Sequence, residues 1–314
     1  AASVIGVSKA SKDAGATFLL LGRSKLAEET SSWLDWSEDQ LNTRKMELRE
    51  SLIAESDYGK VTMVEWNNEW TKLTRSMVIY RTISEIESNG NNAEYHSANV
   101  TDSDSIGAAV GGRKITGIVH GAGLEESKLV ADKEWSTFDL IVRVKVDGWK
   151  SLYSVAGDSL RFACAFTSVA GRFGNGGQTD YAAANSILDA EMARLTATGE
   201  CRAVAIGWTG WRDVGMATRG SIEAVFESAG IETLSVEEGV EIFVGEALAG
   251  GKRRVLGCGS LGLMDRYDSF RDAPLKLPAG MAASIADPRR FPLIDKLVSL
   301  DEGKSLVSQC TLSV

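Results

Sequence analysis

The chain has 314 residues, 44% hydrophobic and 25% charged, a balance that excludes a mini-protein, a disordered tail and a fibrous repeat. Lysine and arginine total 34 against 43 aspartates and glutamates, a formal net charge of -9, which argues against a surface for nucleic acid or another polyanion. No apolar run reaches the ~20 residues of a membrane span, and the opening AASVIGVSKASKDAG has neither the basic end nor the cleavage pattern of a signal peptide. Together these point to a soluble, cytoplasmic chain. Cys164, Cys201, Cys258 and Cys310 form no C-x-x-C pair, so neither a zinc site nor a disulfide framework is expected, and buried thiols are.

In chain order, Thr17-Phe-Leu-Leu-Leu21 is a short apolar run closed by Gly22, a strand by pattern. Residues 24 to about 80 then interrupt the chain with Leu34, Leu41, Leu48 and Leu52 at roughly helical spacing among charges. This is read as a mostly helical insertion, because ordinary α/β connections run ~2–6 residues. Trp33, Trp36, Trp66 and Trp70 lie within it and are read as packing anchors, the alternative being a ligand-stacking site. Further strands are expected over Ile115 to His120, Phe162 to Thr167 and Ala203 to Trp208. Helices are expected over Trp135 to Val155 and Tyr181 to Thr198, and after Ser235-x-x-Glu238, a capping box. Continuous apolar strands alternating with helices imply a doubly wound α/β fold, Rossmann-like, with a parallel sheet covered on both faces. Pro274, Pro278, Pro288 and Pro292 fall in one stretch, placing a linker at 271–292 after a domain over 1–270; an ordered arm packed on that domain is the alternative.

Four side chains are candidates for one site. Ser168 follows the strand at Phe162, Tyr181 opens a helix thirteen residues later, and Asn185 lies four further on, on the same helical face. Lys145 stands between Val144 and Val146, a costly place for an ammonium without a partner. Each alone has a bland reading, as a structural hydroxyl, a packed ring or a snorkelling lysine.

The runs His120-Gly-Ala-Gly123, Lys145-Val-Asp-Gly148, Thr167-Ser-Val-Ala-Gly171, Gly174-Asn-Gly-Gly-Gln178 and Tyr181-Ala-Ala-Ala-Asn185 resemble the ketoreductase domains of modular polyketide synthases. These are complex members of the short-chain dehydrogenase/reductase family. The likeness covers roughly residues 1 to 270. The insertion after Leu21-Gly-Arg-Ser24 and the phrase Arg290-Phe-Pro-Leu-Ile-Asp295 make it most similar to the ketoreductase of polyunsaturated fatty acid synthases, where the second phrase resembles the start of a hot-dog dehydratase. Residues 293–314 are accordingly expected to be a truncated segment of that kind.

The resemblance implies Tyr181 as proton donor, Ser168 as its carbonyl-binding partner, and Lys145 with Asn185 as the other tetrad members. The lysine and asparagine stand exchanged relative to ordinary short-chain dehydrogenases, a mark of the polyketide type. A tyrosine of pKa ~10 needs a nearby cation to work near neutral pH, and Lys145 is expected to supply it. The resemblance also implies NADPH, with Arg23 on the 2′-phosphate, Gly22 and Ser24 beside it, Asn99 and Val100 near the adenine, and Gly121, Ala122 and Gly123 where backbone passes close to the cofactor. Asn99 departs from the usual Asp-Val. His120 is read as a satisfied strand-end residue. A dinucleotide fold also needs a first strand and a glycine-rich turn; Ala1 to Gly6 reads as the helix after that turn, so both are expected to be missing. The strands at Thr17 and Ile115 are expected to flank the absent one.

The implied function is NADPH-dependent reduction of a 3-oxoacyl thioester on acyl carrier protein, within a multidomain synthase whose other domains share the polypeptide. The alternatives are a catalytically silent structural or docking module and a free-standing alcohol dehydrogenase. Carrier docking, against the acidic net charge, is expected to rely on tethering or on a basic patch at Arg113-Lys114, Lys252-Arg253-Arg254 or Arg289-Arg290.

Overall fold

Two parallel sheets and the helices around them are set out by a computed structural model that describes residues 2–56, 59–212, 226–228, 230–248, 250, 254–262, 296–301 and 305–309. The chain divides into two units, Ala1–Gly220 with Thr233–Cys258, and Ser221–Glu232 with Gly259–Val314. The expected boundary near 270, the linker at 271–292 and the phrase at 290–295 lie outside the described residues. In the second unit, β7 (Lys296–Asp301) and β8 (Ser305–Gln309) pair as an antiparallel hairpin.

The first unit opens with α1 (Ala2–Ala10) and β1 (Thr17–Gly22). The insertion follows as α2 (Glu38–Glu55) and α3 (Met63–Ser88). Each begins in a capping box, Ser37 with Gln40 and Thr62 with Glu65, which satisfies amides the first turn leaves without partners. The tryptophans are packing anchors. Trp33 is buried, stacks on Trp36 at 4.9 Å and on Trp70 at 6.2 Å, and Trp66 donates its ring N–H to the Lys45 carbonyl at 2.9 Å.

After α3 the chain forms β2 (Asn92–Ser97), a strand the sequence pattern did not announce because Asn-Ala-Glu-Tyr-His-Ser has no apolar run. It pairs in parallel with β1. Asn91 sets that register: its amide donates to the Ser8 carbonyl at 3.2 Å and Ser8 Oγ at 3.1 Å, and its Oδ1 accepts from Ala16 N at 3.1 Å. The end of α1 and the starts of β1 and β2 therefore share one buried side chain.

The second sheet runs β3 (Gly117–His120), β4 (Phe162–Ser168), β5 (Arg202–Trp208) and β6 (Arg254–Gly257), all parallel. Among the described residues, β1 pairs only with β2 and β3 only with β4, so no ladder joins the two strands that were expected to flank a central one. The connecting helices are α4 (Ser103–Val110), α5 (Trp135–Ala156), α6 (Val169–Phe173), α7 (Thr179–Thr198) and α8 (Val236–Leu248). Successive side chains of a strand point to opposite faces, and the core sorts accordingly. Ala163, Ala165, Ala203 and Ala205 join Trp149 of α5 and Leu188, Met192 and Leu195 of α7, whereas Cys164, Val204, Ile206 and Trp208 meet Phe243 of α8. Small residues on the first face let α5 and α7 lie close to the sheet. The capping box at Ser235 is formed, with Glu238 N donating to Ser235 Oγ at 3.1 Å and Ser235 N to the Glu238 carboxylate at 2.7 Å.

Candidate active site

Open parallel sheets place ligands at the carboxyl ends of their strands, and here those ends are His120, Ser168, Trp208 and Gly257. Ser168 is the last residue of β4 and also the N-cap of α6, its Oγ accepting from Ala170 N at 3.1 Å, which leaves the hydroxyl hydrogen free to donate. Tyr181 does not open its helix as expected: α7 starts at Thr179, so Tyr181 lies within the first turn. It shares the buried stripe of α7 with Ala184, Asn185, Leu188, Met192 and Leu195, spacings that fit one helical face. Lys145 occupies the buried stripe of α5 between Ile141 and Trp149, which is why an ammonium among valines faces inward.

The four predicted side chains converge. Lys145 Nζ lies 5.8 Å from the centre of the Tyr181 ring and donates to the Phe166 carbonyl at 2.9 Å. Asn185 Nδ2 donates to the Tyr181 carbonyl at 2.7 Å, while its Oδ1 is buried without a partner. Burial pushes the Tyr181 phenol above its ordinary pKa; the Ser168 and Asn185 side chains pull against that, and the Glu125 carboxylate adds to it. Lys145 is brought beside the Tyr181 ring, but it is not among the groups that set the direction of the phenol's shift. The ammonium spends a hydrogen bond on a carbonyl, desolvation wins, and the phenol stays protonated at neutral pH.

Burial also pulls Lys145 down to about 8, with the Asp189 carboxylate acting in the opposite direction. Asp189 is held by Thr167 Oγ1 at 2.8 Å. His120 is pushed down to about 4, by burial first and by the charge of Lys145 second, and its Nε2 donates to the Lys145 carbonyl at 2.9 Å. It is a neutral strand-end residue that positions the α5 backbone.

Close approach dictates one glycine here, Gly171, and makes Gly123 a tight fit. A Cβ on Gly123 would stand 3.1 Å from Lys145 Cε, and one on Gly171 would stand 2.9 Å from Asn185 Cβ and 3.2 Å from the Asn185 and Ser186 backbone. Backbone cannot yield as a side-chain tip can, so Gly171→Ala is expected to push α6 from α7, destabilising the fold by ~1–3 kcal/mol. Thermal denaturation measures this, and wild-type stability would show that the two helices tolerate the methyl.

At the β1 end, Tyr95 donates to the Ser24 carbonyl at 2.6 Å and Ser97 to the Arg23 carbonyl at 3.1 Å, so β2 holds the loop after β1. A Cβ on Gly22 would meet the Tyr95 hydroxyl at 2.7 Å. Arg23 is exposed. Asn99 is exposed and accepts from Thr101 N at 3.2 Å in a local turn, while Val100 packs where a Cβ on Gly148 would lie. Gly121 has room for a methyl group, with its nearest neighbour, Phe166, 3.8 Å away; internal packing does not require this glycine. Gly121 through Gly123 lead directly off β3.

Sequence reasoning missed the groups that tie the loop after β3 to the turn before Tyr181. Lys133 Nζ meets Asp180 Oδ1 at 2.6 Å, with side chains 3% and 0% exposed. Gln178 Nε2 donates to Glu125 Oε1 at 2.9 Å, and Lys128 N to the Gly177 carbonyl at 3.0 Å. An acid beside a buried tyrosine in a helical first turn was the available signal; its lysine, 47 residues away, had none. Of the basic patches, Arg113 is spent on Glu94 at 2.6 Å and on the Ala109 and Val110 carbonyls. Lys252, Arg253, Arg289 and Arg290 lie outside the described residues.

The KR domain family model matches residues 71–213. A polyunsaturated fatty acid synthase polypeptide of Thraustochytrium sp. is 29% identical over 243 residues, covering 72% of this chain and 8% of the relative. Erythronolide synthase EryA2 of Saccharopolyspora erythraea is 32% identical over 172 residues, 54% of this chain and 5% of that one. The chain thus spans under a tenth of the length of these relatives. A ketoreductase domain from the bacillaene assembly line superposes with a TM-score of 0.58 at 21% identity, covering 84% of this chain and 55% of the other, which establishes the Rossmann-like α/β fold. Residues 71–213 of this chain thus match the KR domain family model, and the chain is similar in sequence to polyketide and polyunsaturated fatty acid synthases.

Proposed function

We propose that the chain reduces a 3-oxoacyl thioester, carried on acyl carrier protein, to the 3-hydroxyacyl thioester, using NADPH. The observation that carries this reading is the convergence of Lys145, Ser168, Tyr181 and Asn185 at the carboxyl end of β4. The same convergence disfavours a silent scaffolding module. A nicotinamide cofactor fits the residues present: Gly121 is a glycine that packing does not demand, Arg23 is an exposed guanidinium beside the end of β1, and Asn185 Oδ1 is a buried acceptor awaiting a donor. When bound there, the dihydronicotinamide supplies the hydride that adds to C3 of the substrate.

The chain's own groups handle the oxygen. As C3 gains hydride, its oxygen gains charge, and Tyr181, protonated at neutral pH, gives it the phenolic proton. Ser168, whose lone pair is committed to Ala170 N, donates its hydroxyl hydrogen to the same oxygen. Asn185 Oδ1 accepts from a water that returns a proton to the phenolate. Absorbance at 340 nm with a 3-oxoacyl N-acetylcysteamine thioester tests the reaction, and no cofactor oxidation at millimolar thioester would overturn it.

Arg23 reads the 2′-phosphate in this proposal, since a guanidinium matches that fork geometry. Arg23→Ala is therefore expected to weaken NADPH binding ~10-fold or more while NADH affinity stays constant. Fluorescence titration with both cofactors checks this, and equal losses would make Arg23 a structural residue. The carrier is reached by tethering: a net charge of -9 repels an acidic domain, and a covalent link supplies ~millimolar effective concentration.

A further inference from the structure

We propose that Lys133 and Asp180 form a positioning pair that fixes Tyr181 relative to the loop after β3. Four observations meet here. Both side chains are buried, 3% and 0% exposed, and Nζ lies 2.6 Å from Oδ1. Asp180 Oδ1 also accepts the amide of Tyr181 at 2.8 Å, one of the first-turn donors of α7 that the helix itself cannot satisfy. Lys133 Nζ donates in addition to the Glu126 carbonyl at 2.8 Å, drawing the start of the loop toward the same point. Two further ties, Lys128 N to the Gly177 carbonyl and Gln178 to Glu125, run between the same two segments.

The loop thus bridges both halves of the site. At one end Gly123 lies against Lys145 of α5; at the other, Lys133 grips the residue preceding Tyr181 in α7. A proton donor misplaced by about an ångström loses much of its effect, so a link between these two helices at the level of Tyr181 sets the distance over which the proton moves. The carboxylate does more than fill space, since it caps the Tyr181 amide while neutralising the ammonium that closes the loop. This inference rests on the reading of Tyr181 as the proton donor.

A double-mutant cycle tests it. Removing one partner strands a buried charge and destabilises, whereas replacing both with neutral groups of similar shape is tolerated. Lys133→Met and Asp180→Asn are each expected to lower the melting temperature, and the double variant to recover it. In the double variant kcat for a 3-oxoacyl N-acetylcysteamine thioester is expected to remain down ~10- to 100-fold, with NADPH affinity and thioester KM within about twofold of wild type. Hydrogen exchange over residues 124–133 is expected to run at least ~10-fold faster, without substrate or cofactor present. A double variant that regains wild-type kcat, or that fails to fold, makes the pair structural and overturns the proposal. If the wild-type chain reduces no thioester, the function proposed above fails by itself. The exchange measurement then still decides whether the clasp exists, and an unchanged rate in the double variant would remove it.

Discussion

Tyr181→Phe is expected to fold normally, bind NADPH as before and reduce a 3-oxoacyl thioester mimic ~10²- to 10⁴-fold more slowly. The ring is buried on the face that α7 turns to the core, and phenylalanine preserves that packing. Only the hydroxyl is lost, and with it the one proton that burial keeps in place at neutral pH. Steady-state oxidation of NADPH measures the effect, and fluorescence titration confirms that the cofactor still binds. A variant within a few-fold of wild type would hand the proton to a water or to Ser168.

Lys145→Met is expected to do two opposite things. Burial holds the folded-state pKa at about 8 against an ordinary value of 10.5. With each pKa unit worth ~1.4 kcal/mol, keeping the ammonium charged at pH 7 costs the fold about 3–4 kcal/mol. Methionine removes that cost and forfeits the hydrogen bond to the Phe166 carbonyl, worth ~1 kcal/mol. The variant should therefore be more stable by about 2–3 kcal/mol at pH 7, while reduction falls ~10²-fold because the phenolate that forms as the proton leaves has no cation near it. The pH dependence follows from the sign of the shift. The lysine's penalty is complete below about pH 8, where folded and unfolded states are both protonated, and it fades between 8 and 10.5, where only the unfolded state holds the proton. Urea denaturation at pH 7 and pH 10 should show the stability advantage shrinking with pH. In wild type, reduction should fall as pH rises through 8; a flat profile to pH 10 would take Lys145 out of the reaction.

What could be read without coordinates was whatever repeats locally. Thr17 to Leu21 and Phe162 to Thr167 are apolar runs with few alternatives to a buried strand, and both are strands. Ser235 with Glu238 marked a helix start that the structure forms. The spacing of Tyr181 and Asn185 put them on one face, and α7 buries both. β2 escaped notice because its alternation, Asn-Ala-Glu-Tyr, spans only four residues and is mostly polar, with no apolar run to mark a strand.

The sequence by itself determined the parallel α/β architecture and the helical insertion, because propensity and hydrophobic period act over a few residues at a time; it offered the four converging side chains as candidates and gave them roles only through a resemblance. Only the tertiary structure decided what those side chains touch. It sends the Lys145 ammonium to the Phe166 carbonyl, leaves Asn185 Oδ1 without a donor, and sets Gly171 against Asn185. It also joins Lys133 to Asp180 across 47 residues. Such contacts depend on which buried polar groups find partners once the helices are docked. No local pattern encodes that, because the cost of a missing partner exists only after water has been excluded.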